Sequence, residues 1–106
     1  MKRDRIGNYI GGWFIGNFTP VIEANESVEV GVKFFKMGDT ELSHMQRVAT
    51  EITVVTSGKV RIGEEILVAG DVLIIPPLEF ADFEALEDGS LICVKFPSLP
   101  DDKVLE

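Results

Sequence analysis

What constrains this chain most is the way short β-type runs are broken by turn residues. Val28, Val30, Val32 and Phe34 alternate with Glu29, Gly31 and Lys33, and a period of two puts one set on each face of a half-buried strand. Further runs rich in Val, Ile and Phe cover 51–56, 60–62, 66–68, 72–75, 81–86 and 91–96, the composition of pleated segments. Between them stand Ser57-Gly58, Gly63, Ala69-Gly70-Asp71 and Asp88-Gly89, residues that accept the backbone angles of tight turns. Apolar residues seldom recur at the three-and-four spacing of an amphipathic helix. Many short strands with glycine punctuation predict an all-β sandwich or barrel, closure being one way to remove exposed sheet edges.

With 106 residues, the chain is sized for one domain, spanning 1–106. Hydrophobic residues make up 45% and charged ones 26%, which disfavours both a disordered chain and a membrane span. Ten Lys plus Arg against 18 Asp plus Glu leave a net charge of 10 − 18 = −8, so a nucleic-acid backbone is a poor partner. The single Cys93 cannot form an internal disulfide, and a cytoplasmic location is the default expectation. Lys2, Arg3 and Arg5 followed by apolar residues imitate a leader, but Asn8 and Asn17 interrupt the apolar stretch and no small-residue cleavage site follows. That segment is read as part of the mature fold. The glycine-broken run 10–18 is either an ordinary core strand or an edge strand that pairs with a second subunit, which would make the protein a homodimer.

One histidine, His44, is present, so a site built on two or three imidazoles is excluded. The sequence has no G-x-S-x-G elbow, no phosphate-binding glycine loop and no cysteine set for zinc. What remains is a spacing. His44 and Gln46 are two apart and so share a strand face, and Glu51 shares the face of Thr53 and Val55 on the next strand. Three polar groups can thus converge inside an otherwise apolar barrel. Tyr9 and Trp13 are candidates to stack on a ligand at the barrel mouth, with core or dimer packing as the plainer role. Met37 and Met45 read as packing residues, and Arg47 lies at an odd offset from His44 and faces away.

The order Gly38, His44, Gln46, Glu51, Gly58 resembles the first motif of the cupin superfamily, G-x5-H-x-H-x(3,4)-E-x6-G, with Gln46 in place of the second histidine. The second motif, G-x5-P-x-G-x2-H-x3-N, is met at Gly70 and Pro76, while its glycine falls on Leu78, its histidine on Ala81 and its asparagine on Ala85. The resemblance covers 38–85 and implies a double-stranded β-helix, or jelly-roll, barrel. In that family the two histidines and glutamate of the first motif and the histidine of the second hold a divalent metal. Here the resemblance implies at most a weak site of His44, Gln46 and Glu51 for a loosely bound ion such as Mn2+, Fe2+, Ni2+ or Zn2+. Asp82 belongs to the face opposite Ala81, Phe83 and Ala85 and is not expected to replace the missing ligand, whereas Glu79, in the loop after Pro76-Pro77, is freer to do so.

Three functions are carried forward. The leading one is a small-molecule binding module, for a sugar or a small carboxylate, with His44, Gln46, Glu51 and Thr53 lining the pocket. In its plainest form the polar groups satisfy one another, His44 bonding Glu51 or Gln46. The second is an enzyme, either metal-dependent or an isomerase or epimerase in which His44 and Glu51 act as an acid–base pair. The third is an interaction subunit with a filled barrel.

Overall fold

A computed structural model describes all 106 residues. Eleven strands form two sheets, with β1 at Trp13–Gly16, β2 at Glu23–Ala24, β3 at Glu29–Phe35, β4 at Thr40–Gln46, β5 at Thr50–Ser57 and β6 at Lys59–Ile62. The remainder are β7 at Glu65–Val68, β8 at Val72–Ile75, β9 at Ala81–Ala85, β10 at Gly89–Phe96 and β11 at Lys103–Leu105. One sheet has the order β2-β1-β3-β10-β5-β8 and the other β11-β4-β9-β6-β7. Consecutive strands repeatedly change sheets, as β3 to β4 and β4 to β5 do, and this wraps the two sheets around one interior as a jelly roll. The only helical turns are two 3-10 turns, Ile6–Asn8 and Ile10–Gly12, and no helix is long and apolar enough to cross a membrane.

The turns form where their residues permit them. Gly58 links β5 to β6 at φ 80°, and a Cβ there would lie 2.3 Å from the Asp88 carbonyl oxygen, so a side chain is excluded by both conformation and space. Trp13 lies against β3 because Gly31 has no Cβ, which would fall 2.8 Å from the indole ring.

Val55 and Val60 are fully buried, surrounded by Phe35, Phe83, Ala85 and Leu91. The Phe35 and Phe83 rings meet edge to face at 5.7 Å between centroids. Burying aliphatic and aromatic side chains of this size contributes roughly 1.5–3 kcal/mol each, and this cluster holds the two sheets together.

Two expectations need correction, and one gains a direction. The β3 alternation is present, with Gly31 and Phe35 its buried members and Phe34 67% exposed, so the valine face points out. The 10–18 run is a 3-10 turn followed by β1, and β1 lies between β2 and β3, so it offers no edge to a second subunit. Met37 is exposed rather than packed.

Candidate functional site

The interior changes character along the strands. On the inward face of the larger sheet, Lys33, Leu91 and Val55 are register partners, then Gly31, Cys93 and Thr53, then Glu29, Lys95 and Glu51. The last row alternates charge across three strands, acid, base, acid, which is the favourable cross-strand order. From the facing sheet, His44 on β4 is opposite Ala81 on β9 and Leu105 on β11, while Gln46 is opposite Lys103. A shift of register between Glu41 and His44 lets both of these line the same space despite their odd separation. The result is an open cavity of about 490 Å3 whose lining includes His44, Gln46, Glu51, Thr53, Glu79, Cys93 and Lys95.

The structure therefore brings the four pocket residues read from the sequence to one cavity. It does not join them into a self-satisfied cluster. The His44 Nδ1 lies 3.0 Å from the Leu42 carbonyl oxygen; a carbonyl only accepts, so Nδ1 is the donor, and in the neutral ring Nε2 keeps its lone pair. The Cys93 thiol donates to Glu51 Oε1 at 2.9 Å. Gln46 is buried, and its Nε2 has no hydrogen-bond partner. An unpaired buried amide donor costs on the order of 1–3 kcal/mol, so this atom marks a place where an acceptor is missing.

Burial, reinforced by the Glu51 carboxylate, pushes the Cys93 thiol well above its ordinary range, which makes it a neutral donor instead of a nucleophile. Burial also raises the Glu29 carboxyl, against the opposing pull of Lys95. The Lys95 ammonium stands 4.9 Å over the Trp13 ring, and Lys33 stands 4.2 Å over Phe83 while pairing with Glu41. Trp13 and Tyr9 both border the cavity, though the Tyr9 hydroxyl is committed to Asp4 at 2.7 Å. Arg47 is exposed and outside the lining.

The strand that carries His44 and Gln46 is held from outside. β11 pairs along it, and the buried Asp102 accepts the backbone N–H of Val48 at 3.0 Å and of Ala49 at 2.9 Å, tying down the connection from Gln46 to Glu51. Beyond the proline pair, the Leu78 N–H donates to the Gln46 carbonyl at 2.8 Å. Leu78 does so at φ 72°, a left-handed conformation suited to the glycine that the second motif carries at this position.

Sequence reading missed Cys93, Lys95, Lys33, Lys103 and Asp102. The first two carry a usable signal, since Leu91, Cys93 and Lys95 alternate on β10 and a lysine in that series interrupts an apolar face. Lys103 and Asp102 give none, because their roles depend on the C-terminal segment returning to β4.

No protein-family model and no curated protein matches this chain. Solved structures do. A double-stranded β-helix protein of Klebsiella pneumoniae, described as uncharacterized, covers 98% of this chain and 90% of its own at 19% identity and a TM-score of 0.73. The chain has the double-stranded β-helix fold of the cupins. An RmlC-like cupin of Shewanella frigidimarina matches over 73% of this chain and 72% of its own, at 23% identity and a TM-score of 0.65. The DMSP lyase DddQ of Ruegeria pomeroyi matches over 77% of this chain and 44% of its own, at 19% identity and a TM-score of 0.65. This cupin fold thus houses enzymes as well as proteins without an assigned activity.

The donor set here does not fit the divalent ion that the fold resemblance implies. No three His, Cys, Asp or Glu side chains are grouped to hold a metal ion. Ala81 is the residue opposite His44, and the Asp82 carboxylate is taken by Arg61 at 2.8 and 3.0 Å, which lowers its pKa through those hydrogen bonds. Gln46 is a neutral carboxamide, a weaker ligand than the imidazole that the motif carries at this position.

Proposed function

We propose that the open end of the barrel binds a small, oxygen-rich molecule, a sugar or a small carboxylate. The unpartnered Gln46 Nε2 carries this reading. Gln46 lines a cavity sized for a small ligand, and a turn of its amide about the last side-chain bond would bring this buried donor to a carboxylate, carbonyl or hydroxyl oxygen. Lys95 and Lys103 supply positive charge at the same cavity, while His44 and Glu51 offer acceptors to hydroxyl groups.

A thermal-shift panel of hexoses, hexose phosphates, aldonic acids and 2-keto acids tests this, because a ligand that binds only the folded state raises Tm. At least one class should raise the Tm of the wild-type protein, and Gln46→Leu should abolish that shift. If every class leaves Tm unchanged, the binding reading fails.

The tautomer of His44 favours a second reading. With Nδ1 held by Leu42, Nε2 is a base at the cavity, and Glu51 is available as its acid–base partner for proton transfer beside a carbonyl. An isomerase or epimerase of this kind requires turnover of the bound compound, and His44→Ala should remove turnover while leaving the fold intact by circular dichroism. Binding without turnover returns the protein to the first reading.

A further inference from the structure

Part of the cavity wall comes from the segment ahead of β1, through Ile6, Gly7, Tyr9, Gly11 and Gly12. This segment is seated differently from the strands. No residue before Gly16 is buried. Every hydrogen bond that involves a side chain of residues 1–12 stays within the segment, where the Asp4 carboxylate accepts from the Arg5 backbone N–H at 2.8 Å, the Asn8 amide at 2.5 Å and the Tyr9 hydroxyl at 2.7 Å. The backbone N–H groups of Asn8, Tyr9 and Gly12 donate to carbonyls three residues back. Asp4 thus braces 4–9 into one unit that no buried side chain fastens to the barrel.

We infer that residues 1–10 are a hinged flap that gates the cavity, turning about Gly11. Two glycines in the left-handed region join the flap to β1, Gly11 at φ 60° and Gly12 at φ 81°. They differ in freedom. A Cβ at Gly12 would collide with the Val32 carbonyl oxygen, and pairing with β3 begins at the next residue, Trp13 opposite Gly31, so Gly12 belongs to the fixed barrel. A Cβ at Gly11 would meet only the Trp13 side chain, at 3.4 Å. The backbone can therefore turn at Gly11, where glycine accepts either sign of φ. Charge draws the flap shut. Residues 1–10 hold three basic residues against one acid, 3 − 1 = +2, and residues 11–106 the remaining 7 − 17 = −10, so the flap is attracted to the body that it covers. The inference concerns entry to the cavity and is independent of any ligand.

The chain carries its own reporter. Cys93 is its one thiol, lines the cavity and is 8% exposed, so its rate of reaction with the neutral reagent methyl methanethiosulfonate follows the fraction of molecules with the flap open. Gly11→Ala burdens the left-handed closed form and should speed the reaction about five- to thirtyfold. A fixed wall predicts no gain, since the added methyl only narrows the cavity. Asp4→Ala, outside the cavity lining, removes the brace and should speed the reaction about threefold or more. Gly7→Ala, within the flap but with open space around its Cβ, should stay within about twofold of wild type. The wild-type rate should be flat through low urea, because a flap exposes little surface on opening whereas an unfolding barrel exposes much. An unchanged rate in Gly11→Ala overturns the inference, as does an equal acceleration in Gly7→Ala or a wild-type rate that climbs from the first addition of urea.

Discussion

The two ends of the barrel interior are built to different rules. At one end Val55, Val60, Phe83 and Ala85 fill the space with apolar side chains exposed by 5% or less. At the other, Glu51, Thr53, Cys93, Gln46 and His44 border a cavity, and one buried amide has no partner at all. The same strands run through both ends, so β5 and β10 each change from apolar to polar inward positions within a few residues. The closed end supplies stability that the open end does not, and unmet hydrogen-bonding capacity at the open end is what a ligand can use.

Four substitutions test that division, from the largest expected effect to the smallest. Phe83→Ala removes the ring that packs edge-on against Phe35 and should lower unfolding stability by about 3–5 kcal/mol in urea titration. A loss below about 1 kcal/mol would mean the closed end is not the stabilising one. Asp102→Ala leaves the Val48 and Ala49 N–H groups without their acceptor and should cost about 2 kcal/mol in the same measurement. The loss of the anchored turn should also broaden the NMR resonances of residues 46–51.

Gln46→Leu should do the opposite. It replaces an unpaired buried donor with apolar volume of similar size and should raise stability by about 1 kcal/mol in urea titration. Destabilisation of that size would show that the amide is satisfied in the ligand-free protein, and the contrast between the two ends would lose its sharpest point. Leu78→Gly relieves a left-handed backbone at the loop that bonds Gln46, partly offset by the greater freedom of glycine in the unfolded chain. A gain of about 0.5–1 kcal/mol is expected, read as a higher urea midpoint at unchanged slope.

Much of the fold was legible because alternation and turn chemistry are local. The runs at 51–56, 72–75 and 91–96 lie within β5, β8 and β10, and Gly58 marks the turn it was expected to mark. Of the site, His44 with Gln46 and Glu51 with Thr53 could be assigned to shared faces from spacing alone. Cys93 and Lys95 could not be joined to them, since their neighbours follow from the pairing of β10 with β5 and that register is not written in either strand. Short strands β2 and β11 carried too few residues for a period to show.

By itself the amino-acid order determined where most of the longer strands run, which side chains share a face, and that a lone imidazole is spaced to meet a carboxamide and a carboxylate. Only the tertiary structure decided which face of β3 looks inward, that His44 bonds its own strand's carbonyl instead of Glu51, and that Gln46 is left with an unmet donor. The pleat forces neighbours to opposite sides wherever a strand forms. Which side becomes the interior depends on how all the strands together close around a cavity, and no single segment contains that information.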